Sequence, residues 1–170
     1  MHARSIIVAA VLMAVPHIGI AQELTRIDDQ WNRYLNARFG TSIDVPNIFK
    51  MADPPPANGD GRTFRSADGA ELRVFGSYSA TTITENFAGY KAWRLDQLQK
   101  DGVAVTYKAQ GKNWLAASGT KDDSVVYVKI IDGCGDATHE MWVTYPSVRK
   151  RTYDPLIARL ARSLHCEEPR

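Results

Sequence analysis

The sequence predicts one exported α+β domain, a mostly antiparallel sheet of six or seven strands with two packed helices. Three observations lead there. The chain opens on an apolar leader, its middle is a succession of short alternating or wholly apolar runs separated by turn residues, and two stretches, 82–100 and 154–165, change to helical spacing. Strand runs interrupted by isolated helices give a layered α+β arrangement rather than repeated parallel units.

The leader consists of Arg4, an apolar run from Ile6 to Ile20, and the small-residue exit Gly19-Ile20-Ala21 before Gln22. That is the layout of a signal peptide over residues 1–21, and it directs the chain to a secreted, periplasmic location. Pro16 and His17 break the run, which is short for a bilayer, so stable membrane insertion is not expected. Without the leader 149 of the 170 residues remain, enough for one domain that buries about two thirds of its unfolded surface. The leader removes one of 21 basic residues, which leaves them nearly balanced against 19 acidic ones. Near-neutrality gives no reason to expect a nucleic-acid partner.

Gln22 to Gln30 is polar, has no clean apolar period and reads as an N-terminal tether, so the single domain spans 31–170 from Trp31. Ile43 and Val45 alternate with polar neighbours up to Pro46, as in a half-buried strand. Asn47 to Gly61, with Pro54-Pro55-Pro56 and Asn58-Gly59-Asp60-Gly61, is a long loop. The latter run superficially resembles a calcium loop, but Arg62 and Gly69 stand at its fifth and twelfth positions, so it reads as a turn. Thr63 to Ser66 and Glu71 to Tyr78 form strands around Asp68-Gly69.

Thr82 and Glu85 match a capping box, opening a helix that runs to about Lys100 with Ile83, Phe87, Tyr90 and Leu98 on one face and Gly102 as its stop. Four strands follow at 103–109, 113–118, 124–131 and 139–145. Val125 to Ile131 is apolar on both faces and belongs in the interior of the sheet. The run Arg149-Lys150-Arg151 reads as a solvated loop. Asp154-Pro155 then supplies an N-cap and first-turn proline for a helix with Leu156, Ile157, Leu160, Ala161 and Leu164 on one stripe.

The segment Tyr34-Leu35-Asn36-Ala37-Arg38-Phe39-Gly40-Thr41-Ser42-Ile43-Asp44-Val45-Pro46 resembles the opening of a group of uncharacterised secreted bacterial proteins. The later Trp114-Leu115-Ala116-Ala117-Ser118-Gly119, Thr144-Tyr145-Pro146 and Tyr153-Asp154-Pro155 are similar in layout to the Mog1/PsbP-like sandwich fold, over most of residues 31–165. Members of that fold include an extrinsic photosystem II subunit, a Ran-binding protein and bacterial lipoproteins, so the resemblance implies a non-enzymatic binding or assembly module. It carries over no functional residue. Gln22 rather than a cysteine stands directly after the leader's cleavage site, so a lipid anchor is not expected.

Export removes His2 and His17, so base or metal chemistry passes through His139 and His165. Cys134 and Cys166 form an even pair that an oxidising compartment would bridge. Closing that loop stabilises a fold by roughly 3 to 4 kcal/mol on the chain-entropy estimate. Two other readings use the same residues: a zinc module of Cys134, His139, His165 and Cys166, and a small thiol hydrolase using Cys134 and His139. The adjacency of His165 and Cys166 strains a shared metal. His139, in strand parity with Met141, Val143 and Tyr145, fits a hydrogen-bonded histidine at the rim of the core. No Gly-x-Ser-x-Gly elbow surrounds Ser118, and Asp122-Asp123 sits in a turn. Of Trp31, Trp93, Trp114 and Trp142, Trp93 is the best candidate to stack a ligand, because it lies off the helix stripe. The expected function is therefore a periplasmic binding or assembly module that needs no cofactor, with another envelope protein or a cell-wall component as partner.

Overall fold

The computed structural model describes residues 22–52, 54 and 56–168; the expected signal peptide lies outside the described residues. The strands are β1 (Gln22–Arg26), β2 (Trp31–Asn36), β3 (Thr41–Pro46), β4 (Lys50–Met51), β5 (Gly61–Arg65), β6 (Glu71–Ser77), β7 (Ala104–Gly111), β8 (Trp114–Lys121), β9 (Ser124–Gly133), β10 (Ala137–Pro146) and β11 (His165–Cys166). The helices are α1 (Ser79–Ile83), α2 (Phe87–Lys100) and α3 (Lys150–Ser163). An antiparallel seven-stranded sheet has the order β4-β5-β6-β10-β9-β8-β7, and a four-stranded sheet the order β1-β2-β3-β11. Six of the expected strands lie in the large sheet; the one carrying Ile43 and Val45 lies in the small one.

Strand parity sorts the large sheet into two cores. Leu72, Val74, Met141, Val143 and Tyr145 face α3 and the small sheet, where they meet Tyr34, Ile43, Ile157 and Leu160. Val126, Val128 and Ile130 point the other way and pack with Leu115 and Ala117 beneath Phe87, Tyr90 and Leu98 of α2. β9 is thus apolar on both faces because it lies between β10 and β8, the interior position expected for it.

Five expectations of detail are corrected. The tether at 22–30 contains β1, which pairs with β2 from Gln22↔Asn36 to Arg26↔Asn32. An edge strand held by main-chain bonds, with Leu24 exposed, needs no apolar period. β3 is buried throughout rather than half-buried, because it is central in its sheet and Asp44 is neutralised by Arg33 (2.7 Å) and Arg159 (3.0 Å). The long loop contains the two-residue strand β4, paired with β5.

The capping box at Thr82 and Glu85 does not form. Thr82 Oγ1 donates to the Tyr78 carbonyl inside α1, and α2 starts afresh where the Asn86 side chain accepts from Gly89 N at 2.9 Å. The extended backbone of Thr84 separates the two helices, and Ile83 is exposed. Gly102, at φ +85°, does close α2.

Asp154-Pro155 does not open α3. The helix starts at Lys150 after a short 3₁₀ turn, so most of the supposed basic loop is helical and Pro155 lies inside. The added turn is held by Lys150–Asp154 (2.9 Å), by the Tyr145 hydroxyl donating to Asp154 Oδ1 (2.7 Å) and by Arg149–Asp68 (3.4 Å). Asp154 is therefore a tie to β10 rather than a cap.

A buried polar cluster helps hold α2 to the sheet, beside the bond of 2.6 Å that Lys91 Nζ donates to the Gly111 carbonyl of β7. Glu140 of β10 is fully buried on the α2 side, accepting from the Tyr90 hydroxyl, from Arg94 at 2.8 Å and from Trp142 Nε1 at 2.8 Å. The Arg94 guanidinium lies over the rings of Trp93 (4.7 Å), Trp142 (5.1 Å) and Tyr90 (5.2 Å). Burial, with the Glu140 charge next in effect, pushes the Tyr90 phenol well above its ordinary range. Removing one partner of such a pair leaves a buried charge unbalanced. Arg94→Leu is expected to lower unfolding free energy by about 3 to 5 kcal/mol, and Arg94→Leu with Glu140→Leu by less than that single change. Urea denaturation measures both; a double variant weaker than the single would contradict the pairing.

Candidate functional site

The cysteine–histidine corner is built where β11 closes the small sheet. Cys134, in the β9–β10 turn, is joined to Cys166 of β11, with Cα atoms 5.9 Å apart across 32 positions of sequence. β11 lies so close to Gly40, at φ +69°, that a Cβ there would stand 1.9 Å from the Glu167 carbonyl oxygen. A glycine is obligatory at that approach.

His139 is fully buried beside the bridge. Its Nδ1 shares a hydrogen bond of 2.8 Å with Thr41 Oγ1 of β3, and its Nε2 has no hydrogen-bond partner among the described residues. His165 is half exposed, with Nδ1 bonded to the Ser163 carbonyl at 2.7 Å and Nε2 3.4 Å from Glu167. Both sulfurs are in the bridge, which removes the thiolates that a zinc module of Cys134, His139, His165 and Cys166 needs and the one that a Cys134–His139 hydrolase needs. Among the described residues no cluster of three or more His, Cys, Asp or Glu is placed to hold a metal.

Trp93 is half-buried on α2, stacked on Tyr90 (5.3 Å, 22°) and covered by Arg94. Tyr78, 54% exposed at the start of α1, packs edge-on against Phe39, and two further open aromatic rings, Tyr107 and Trp114, lie on the α3 side of the large sheet. α3 covers β10 and β9 but leaves β8 and β7 open beside it. The row Tyr107–Ser118–Tyr127 is in register across three strands, followed by Ala109–Ala116–Lys129 and then Gly111–Trp114–Ile131. Small side chains between aromatic ones make a trough, with Tyr107 51% exposed and Trp114 37% exposed at its ends.

At Gly111 the space that a Cβ would fill is taken by the indole, with Trp114 Nε1 2.3 Å from that position. The indole therefore lies against the backbone of β7. At the other end Tyr107, Ser118, Tyr127, Tyr145, Lys150 and Asp154 surround a cavity of about 280 Å³. Burial, with Tyr107 next in effect, pushes the Tyr127 phenol up to about 12. Lys129 Nζ donates to the Ala161 carbonyl at 2.6 Å, fixing its stem along α3.

A separate groove of about 400 Å³ lies by the proline-rich loop, where Pro54, Pro56, Asp60, Arg62, Arg73 and Phe75 line it, and Arg73 also reaches a second hollow of about 270 Å³ beside Trp142. The sequence places Trp93 ahead of Trp114 as the stacking residue because position off a helix stripe is visible locally, whereas the cross-strand register that joins Trp114, Ala116 and Ser118 to Tyr107 is not. The alternation Tyr107-x-Ala109-x-Gly111 against Trp114-x-Ala116-x-Ser118 was the signal, since a core-facing surface carries bulkier aliphatic residues.

The antiparallel seven-stranded sheet between α2 on one face and α3 with a small sheet on the other defines a PsbP-like α+β sandwich. The solution structure of cyanobacterial PsbP (CyanoP) from Synechocystis sp. PCC 6803 is similar over 92% of this chain and 99% of that one, with a TM-score of 0.55 and 16% sequence identity. The Mog1/PsbP-like expectation for the fold holds. No protein-family profile and no curated protein sequence matches the chain.

Burial, reinforced by His165, lowers the pKa of His139 from 6.5 to about 4. The unfolded chain then binds a proton that the folded one refuses between those two values. Stability should hold above about pH 6.5 and fall on acidification, by up to about 3 kcal/mol near pH 4. Urea unfolding at pH 7 and pH 4.5 measures this. His139→Gln should flatten the slope; an equally steep slope in that variant would contradict the assignment.

Proposed function

We propose that this chain is an exported, non-enzymatic binding or assembly module that engages another envelope protein or a cell-wall component through the trough on its large sheet. The trough itself carries the reading. Tyr107 and Trp114 remain exposed on a sheet face whose neighbouring half is fully packed, and rings held this way lose little entropy when they bury against a partner. The bridge between Cys134 and Cys166 and the leader of residues 1–21 support an oxidising, periplasmic location. No helix among the described residues is long and apolar enough to cross a membrane.

The buried groups serve the scaffold. Both sulfurs join β11 to the β9–β10 turn, His139 faces β3, and Glu140 is sealed beneath α2. A module of this kind works by presenting a rigid surface, so substitutions at the rim should separate binding from folding. The test is co-sedimentation of the mature protein with isolated envelope fractions. Tyr107→Ala with Trp114→Ala should weaken retention by about three- to tenfold per ring removed, with an unchanged circular dichroism spectrum. Ile83→Ala, exposed on α1, should leave it unaltered. Equal retention by all three proteins would remove the trough from the account.

A further inference from the structure

We infer that the trough is a carbohydrate site, with the cavity beside Tyr107 as one sugar subsite and Trp114 as a second, and that its ligand is a neutral oligosaccharide. This deepens the reading of the trough as the binding surface and rests on it.

The cavity couples ring faces to hydroxyl-bonding groups. Tyr107 and Tyr127 supply aromatic surface, while Thr106, Ser118 and these two phenols supply hydroxyls that both donate and accept. A pyranose has the complementary make-up, an apolar C–H face to lie on a ring and an equatorial belt of hydroxyls to bond around it. Its volume, about 280 Å³, suits a single ring.

Charge points to a neutral ligand. The cavity's ionic groups are Lys150 and Asp154, and they are paired with each other at 2.9 Å. Asp154 also accepts from the Tyr145 hydroxyl, so the acid is held as a positioned acceptor beside the cavity. Lys129, in the middle row, already donates to the Ala161 carbonyl. A phosphate or acidic polymer would find a single cation without a carboxylate partner, Lys129, tethered to α3 and 5.9 Å from the Trp114 ring, rather than the cluster of cations that binds such a ligand, and an acyl chain would meet hydroxyls and an ion pair.

The walls are preorganised. Tyr145 stacks on Tyr153 at 5.0 Å, which fixes its ring. The pairing of β7 with β8 shifts between Val105 and Tyr107, so Thr106 is an extra residue there, and Thr106 and Tyr107 both line the cavity. Bulges of this type re-aim side chains at sheet edges. Trp114 is held against Gly111. Four positions separate Ser118 from Trp114 along β8, about 13 Å of strand, which suits an oligosaccharide that touches both ends rather than a single sugar. An extended peptide would instead bond to the free edge of β7, where the main chain is open, and would leave this face untouched.

The experiment is an NMR titration of the mature protein with chito-oligosaccharide and cello-oligosaccharide, two neutral β-linked probes, and with an anionic uronate oligosaccharide. At least one neutral probe should shift Tyr107, Ser118 and Trp114 resonances and not those of α1. Trp114→Ala and Tyr107→Ala should each weaken it by about three- to tenfold. Absence of shifts with both neutral probes at millimolar concentration, tighter binding of the uronate, or shifts confined to the β7 edge would each overturn the carbohydrate assignment. If that happens while the double variant still loses envelope retention, the trough remains the binding surface and only its ligand class is wrong.

Discussion

His139 and Glu140 stand next to each other in β10, and because consecutive strand residues point to opposite faces, one is buried on each side of the same sheet. His139 reaches Thr41 of the small sheet, and Glu140 reaches Tyr90 and Arg94 of α2. Two neighbouring polar residues thus tie three layers together. A register slip of one residue would exchange the two faces, placing a carboxylate against the small sheet and an imidazole beneath α2. The surrounding apolar residues favour burial in general, whereas this pair favours one alignment.

The covalent bridge acts on the same corner. Cys134 lies three residues before β10 begins, and Cys166 ends β11, which pairs with β3 at Thr41 and Ser42. Thr41 therefore takes part in the β11 ladder through its backbone and in the His139 contact through its side chain. The last described residues of the chain are held against the middle of the fold. These features fill the corner with structural contacts and leave the aromatic residues of β7 and β8 on the open part of the sheet.

Much of this architecture was legible in the sequence. The 124–131 run announced an interior strand through apolar residues on both faces, Gly102 marked the end of α2, and the even pair of cysteines carried the bridge. The parity of His139 with Met141 and Val143 gave its side, though burial is deeper than a rim position. The errors came from signals that short-range patterns do not carry. β1 is recruited by backbone pairing, the start of α3 by the ties that Asp154 makes to Lys150 and Tyr145, and the start of α2 by Asn86 in competition with an equally well-spaced Thr82 and Glu85. Glu140 looked like an ordinary strand residue, because its partner Arg94 is 46 positions away.

The sulfurs decide most directly whether this scaffold account is right, since a free Cys134 beside His139 would restore thiol chemistry at the corner. Intact mass of the protein purified from its native compartment, with and without reductant and with an alkylating agent present, measures their state. The account predicts no alkylation before reduction and a gain of two hydrogens after it. Alkylation of Cys134 in the native protein, or a mass unchanged by reductant, would contradict it.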